Sequence, residues 1–190
     1  MEKTRLGFCI TGSFCTFERI IPEIEKLVKN GYDVTPILSE TAYNTDTRFG
    51  KASDFTAIVK EICKNEIIKT ITEAEPIGPK KLFDAMIIEP CTGNTIAKLA
   101  CGITDTAVTM AAKAHLRNQR PLVLAVSTND GLGLNGKNIG ILSGIKGVYF
   151  VPYGQDDPHN KVNSLVADMT QIEDTLKAAL EGKQIQPVLK

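Results

Sequence analysis

Hydrophobic positions along the chain alternate between uninterrupted runs and spacings of three and four residues. Residues 5–10 form a short apolar run, closed by the turn TGSFCT. From Phe17, the positions Ile20, Ile21, Ile24, Leu27 and Val28 recur at helical spacing, with Gly31 as the C-cap. DVTPIL at 33–38 reads as a second strand, with Pro36 a blemish because proline donates nothing to a sheet ladder. Residues 43–52 are polar and read as a loop; Phe55, Ile58, Val59 and Ile62 then predict a helix. IIKTI at 67–71 and AMII at 85–88 predict two more strands, the latter bounded by Glu89-Pro90. Two helices follow, joined at Gly102, with Thr104 as N-cap of the second. Residues 122–126 are a wholly apolar fifth strand, and GVYFVP at 147–152 a sixth. Between them lies STNDGLGLNGKN at 127–138, read either as a mobile surface loop or as a ligand or partner contact. Val162, Leu165, Val166, Met169, Ile172, Leu176 and Leu180 predict one C-terminal helix.

Strands that are apolar throughout and alternate with helices imply a parallel sheet covered on both faces. The expected fold is therefore α/β: a three-layer, doubly wound, mostly parallel sheet of about six strands. With 190 residues the chain suits one domain spanning 1–190.

Charge and composition then narrow the function. The 22 basic and 22 acidic side chains balance and form no runs, so no field attracts nucleic acid or an anionic membrane. The first apolar run is too short for a signal-peptide core, and no stretch approaches the roughly 20 apolar residues of a membrane span. A cytoplasmic location is expected. Five scattered cysteines and two histidines, with no CxxC pair, argue against a metal site and fit a reducing compartment. Cys9, inside a strand, reads as core filler.

In an open parallel sheet, ligands bind beyond the carboxyl ends of the strands, where strand order reverses. After the first strand, Gly12 permits a tight turn, Ser13 and Thr16 offer hydroxyls, and the next helix presents free N–H groups. That arrangement suits a phosphate, or is an ordinary strand–helix turn; it is neither GxGxxG nor a P-loop. Ser39 and Thr41 stand after the second strand, as further phosphate contacts or as a helix cap. After the fourth strand Thr92 caps a helix whose first turn holds Asn94 and Thr95. Asn94, the best catalytic candidate, either meets a flat heterocycle or carboxylate or is simply exposed. Cys91 reads as packing, because no histidine is near it in sequence. His115 and His159 both read as solvent-facing, and Arg48 and Lys51 as members of a solvated loop with a lesser claim on an anionic ligand.

The pieces ITGSFCT (10–16), SETA (39–42) and PCTGNTIAKLACGITDTAV (90–108) resemble, in order, the flavoprotein family of peptidyl-cysteine and phosphopantothenoylcysteine decarboxylases and flavin prenyltransferases. Cys91, Thr92 and Gly93 replace Ala-Ser-Ala of that family's PASANT signature. The resemblance implies FMN as cofactor and homo-oligomers. It places phosphate contacts on Thr11, Gly12, Ser13 and Ser39, and flavin or substrate contacts on Thr92, Asn94 and Thr95. Two features depart from the decarboxylases: no histidine precedes His115, and Val126-Ser127-Thr128-Asn129 stands where they carry PxMN.

Within the family, LGFCITGSFCTF (6–17), residues 87–118, RPLVLAVSTNDGLG (120–133) and GVYFVPYGQDDP (147–158) are similar to a branch that serves as one component of a two-component synthase in spore-forming bacteria. That likeness implies oxidation of a dihydropyridine dicarboxylate late in sporulation. It further implies a dehydrogenase-like partner subunit that brings NADP or NAD, with activity only in its company. An independent FMN-dependent decarboxylase or prenyltransferase is one alternative. A non-catalytic assembly subunit with a vestigial phosphate site is the other.

Overall fold

The computed structural model describes residues 3–190. Its centre is a seven-stranded sheet. Strand β1 (Arg5–Ile10) lies between β2 (Asp33–Leu38) and β3 (Ala85–Thr92), and β4 (Leu122–Thr128) follows β3, all parallel. One side of β4 is then shared. Its first half pairs in parallel with β5 (Val148–Phe150), and its last two residues pair antiparallel with β7 (Leu165–Ala167), which also carries β6 (Tyr153–Gly154). The mostly parallel α/β sheet expected from the sequence is present, with seven strands rather than about six.

Alternate residues of each strand feed two cores. Leu6, Phe8 and Ile10 face α1 (Phe17–Lys29), while Cys9 faces the opposite layer; all four are fully buried. On the α1 side lie also α3 (Ala52–Cys63) and α9 (Ile172–Leu180), the short α2 (Glu40–Asn44) preceding α3. The other side is covered by α4 (Ile71–Ala74), α5 (Ile77–Lys80), α6 (Gly93–Ala100), α7 (Ala107–Leu116) and α8 (Leu134–Ser143). Gly7 is required by packing: a Cβ there would stand 2.8 Å from the Phe83 ring.

Several expected elements differ, each for a local reason. Residues 67–71 make a single bridge, Ile68 to Ile37, instead of a strand. Thr70 and Glu73 form a capping box that turns the chain into α4 after one rung. A second box, Thr106 with Thr109, starts α7, so Thr106 and not Thr104 is the cap. Strand β3 runs past Glu89-Pro90 to Thr92, its register with β4 shifting between Ile88 and Cys91. Pro36 sits mid-strand, tolerated because β2 has a full ladder on one side only. The C-terminal helix begins at Ile172, not near Val162. Leu165–Ala167 instead form β7, a short strand whose apolar residues extend the stripe of the helix that follows. The 127–138 segment shrinks to a loop over 129–133, between β4 and α8.

His115, expected in solvent, is 1% exposed, and its Nε2 donates to the Pro121 carbonyl at 3.0 Å. Burial pulls its pKa from 6.5 to about 4, against the opposing pull of the Pro121 contact. The unfolded chain therefore binds a proton that the folded chain refuses. Stability is expected to fall as pH drops from about 6.5 toward 4, and His115→Gln should flatten that slope in urea titrations at stepped pH. An unchanged slope would assign the acid sensitivity to other groups.

Candidate functional site

Strand order reverses between β1 and β3, since β2 lies to one side of β1 and the rest of the sheet to the other. The loops after these two strands and after β4 open on one groove of about 650 Å³, a volume suited to a small molecule.

The first loop forms one wall. After Thr11 the chain turns at Gly12 and Ser13 into a single 3-10 turn, Phe14–Thr16, that leads into α1. The Ser13 amide donates to Thr11 O at 2.8 Å, and the Thr16 amide and hydroxyl both donate to Ser13 O. The amides of Gly12, Phe14 and Cys15 are left with no acceptor among the described residues. An anion in the groove is the natural partner for such a set. Gly12 packs against Thr41, whose Cγ2 would lie 3.0 Å from an added Cβ.

The loop after β3 forms the floor. The Thr11 hydroxyl donates to Pro90 O at 2.5 Å and accepts from the Thr92 amide at 3.3 Å, tying β1 to β3. The Thr92 and Thr95 hydroxyls lie 3.1 Å apart. Thr92 stands at the N-cap position of α6, but its hydroxyl caps no amide. Asn94, in the first turn of α6, is exposed and borders the groove.

The far wall comes from β4. Ser127 Oγ lies 3.2 Å from Ser13 Oγ, joining the first loop to β4. Beyond it the Asp130 carboxylate accepts from the Thr128 hydroxyl and, through both oxygens at 2.9 Å, from Asn135, which in turn accepts from Asn138. These hydrogen bonds hold the Asp130 carboxyl below the usual carboxylate range. Gly93 fits against this network with no room to spare: an added Cβ would meet Thr128 Oγ1 at 2.5 Å, Asn135 Nδ2 at 2.7 Å and Asp130 Oδ1 at 2.9 Å. The α6 N-terminus thus already faces a carboxylate from behind, whereas the first-loop amides do not.

Of the residues singled out in the sequence, Gly12, Ser13, Thr16, Thr92 and Asn94 come together on the groove. Thr11 and Thr95 are buried behind it, linked through Thr92. Ser39 is adjacent through its amide, which donates to Ile10 O, but its hydroxyl accepts from Ala42 N as the cap of α2 and does not line the groove. Lys51 borders a separate apolar cleft between α1 and α3, and Arg48 lies over the Phe49 ring. Cys91 is fully buried, and desolvation drives its thiol pKa far up, so it packs rather than reacts.

Arg19, Asp156 and Lys161, which also border the groove, were not singled out in the sequence, and Asp130 and Asn135 entered only as unnamed members of the 127–138 segment. Arg19 looks like any polar residue of an amphipathic helix, and Lys161 arrives from the distant 155–164 connection between β6 and β7. Among the described residues, no cluster of three or more His, Cys, Asp or Glu side chains is placed to hold a metal, and no helix is long and apolar enough to cross a membrane.

The chain is similar over its length to known proteins. The B-type subunit of dipicolinate synthase from Bacillus subtilis (strain 168) is 47% identical over 189 residues, covering 100% of this chain and 94% of that one. The crystal structure of the B-type subunit of dipicolinate synthase from Bacillus halodurans C superposes with a TM-score of 0.91 at 48% identity, over 98% of this chain and 96% of the other. AnUbiX (PadA1), crystallised in complex with FMN and dimethylallyl pyrophosphate, shares the fold at a TM-score of 0.61 and 19% identity, over 80% of this chain and 78% of that one. The Flavoprotein family model matches residues 1–181, and with a parallel sheet whose reversal point carries the groove, this chain belongs to the Flavoprotein family.

Proposed function

We propose that this chain is the flavoprotein-like, B-type subunit of dipicolinate synthase. It acts with that synthase's nicotinamide-binding partner to oxidise dihydrodipicolinate to dipicolinate during sporulation. Full-length likeness to two proteins of that name supports the reading, and the observation that carries it is the groove with its unpaired first-loop amides. Five free cysteines suit the cytoplasm of the mother cell.

The groove fits FMN in two respects: its size, and a phosphate cradle made by the amides at Gly12, Phe14 and Cys15 with the Ser13 hydroxyl. Bound there, FMN would supply a two-electron acceptor beside the substrate. Asn94 offers an amide to a flat ring or a carboxylate. Thr92 forms part of the floor under both, backed by the buried Thr11 and Thr95. The partner's NADP or NAD is the final hydride acceptor in this reading, and Asn94 is the best catalytic candidate of this chain. Ser39 serves by holding the end of β2 against the first loop. Homo-oligomers complete the assembly.

A stand-alone decarboxylase is disfavoured by His115, which is buried and bonded to Pro121 and has no access to the groove. The experiment is the visible spectrum of the full chain after incubation with FMN and desalting, alone and with the nicotinamide-binding partner. A retained flavin spectrum, lost in Ser13→Asp through repulsion of the phosphate, is expected. A colourless protein in both samples would sink the FMN reading and leave this chain as a site-completing or assembly component.

A further inference from the structure

Cations bordering the groove differ in their partners. Lys161 is paired with Asp156 at 3.0 Å, and both stand on the connection between β6 and β7. Arg19, in the first turn of α1, has no carboxylate within ion-pair distance among the described residues. Glu23, one turn further along α1, is the acid a helical arginine would ordinarily meet. It is drawn inward instead, its side chain 13% exposed and its carboxylate 3.8 Å from Lys26. The carboxylate across the groove, Asp130, is already committed to Thr128 and Asn135. Arg19 is therefore a guanidinium bordering the groove with its donors open. Its planar fork matches a carboxylate through two parallel hydrogen bonds.

The first-loop amides offer a second, separate anion contact one turn before it. Taking the proposed function as given, the ligands are a flavin phosphate and a flat ring bearing two carboxylates. We infer that Arg19 is the specificity-determining residue that binds one carboxylate of the dicarboxylate substrate, while the amides around Gly12 and Ser13 hold the phosphate. The second carboxylate then falls toward Asn94. A ring with a single carboxylate leaves either Arg19 or Asn94 without its partner, which is the physical basis of discrimination.

The test measures binding of pyridine-2,6-dicarboxylate and of pyridine-2-carboxylate by calorimetry, to the full chain with FMN and the nicotinamide-binding partner present. Flavin retention after desalting is recorded in parallel. The wild-type chain is expected to prefer the dicarboxylate, Arg19→Gln to lose that preference by about tenfold or more, and Arg19→Lys to keep part of it. Flavin retention is expected to stay unchanged in both variants. Because Arg19 is exposed and makes no side-chain hydrogen bond or ion pair among the described residues, both variants should fold, which circular dichroism checks. Undiminished dicarboxylate preference in Arg19→Gln overturns the inference. So does loss of flavin with the preference intact, which would assign Arg19 to the phosphate. A wild-type chain that keeps flavin but shows no dicarboxylate preference removes this inference alone, whereas one that does neither removes the proposed function with it.

Discussion

Gly93→Ala is expected to destabilise the protein by about 1–3 kcal/mol and to empty the groove. The added methyl would sit 2.5 to 2.9 Å from Thr128 Oγ1, Asn135 Nδ2 and Asp130 Oδ1, and none of these is the free end of a flexible chain. Thr128 ends β4 and is buried, Asn135 is buried in the first turn of α8, and Asp130 is bonded to both. Relief requires either breaking that network or pushing α6 away from β4. Either response moves Asn94 and the floor beneath the ligand. Urea denaturation and flavin retention measure the two effects. An unchanged midpoint with normal retention would mean that the 129–133 loop yields without cost. Gly140→Ala in α8 is the control: nothing lies within 4 Å of its added methyl, and the helix should gain roughly 0.5–1 kcal/mol.

The second large effect concerns Glu89, which is fully buried on β3 with neither carboxyl oxygen hydrogen-bonded among the described residues. Desolvation, with the nearby charge of Glu23 as a smaller influence, raises its pKa well above the ordinary 4.5. Glu23 on α1 is itself raised, first by burial, and stands near Lys26, Asp168 and Glu173. The folded state thus keeps a proton that the unfolded state releases. This carboxyl stabilises most below the unfolded pKa, and its contribution is lost as pH rises toward the folded value. Glu89→Met, close in volume, is expected to raise stability by about 1–3 kcal/mol by removing an unsatisfied buried group. The gain should be larger at pH 8 than at pH 5. Equal gains at both would mean that Glu89 is equally protonated in folded and unfolded chains.

The two pH effects oppose one another. His115 weakens the fold on acidification through its own window, and Glu89 weakens it as pH rises above 4.5. Neither was legible in the chain. His115 occupies a helical position flanked by Lys113 and Arg117, which reads as polar surface, and Glu89 stands at what looks like the end of a strand.

What the chain determined by itself was local in origin. Runs of apolar residues at 6–10 and 122–126 specified buried parallel strands, because only a doubly covered sheet hides both faces of such a run. The spacing from Ile20 to Val28 specified α1, and the Gly12 turn, the Thr92–Thr95 segment and the Gly/Asn-rich 127–138 stretch marked the loops around the groove. Short elements failed where period and cap compete over three or four residues: Thr70 and Glu73 end a would-be strand, and Leu165 to Ala167 form one inside a would-be helix.

Tertiary structure decided the rest, because the groove is assembled from segments far apart in sequence. Ser13 meets Ser127 across 114 positions, and Thr11 meets Pro90 across 79. Whether Ser39 would cap a helix or face a ligand depended on where α2 began. Among the described residues Arg19 has no ion-pair partner, Glu23 lying near Lys26 and Asp156 being paired with Lys161. Pairing and burial are properties of neighbours in space, and a charge's freedom to bind a ligand follows from which neighbours the fold withholds from it.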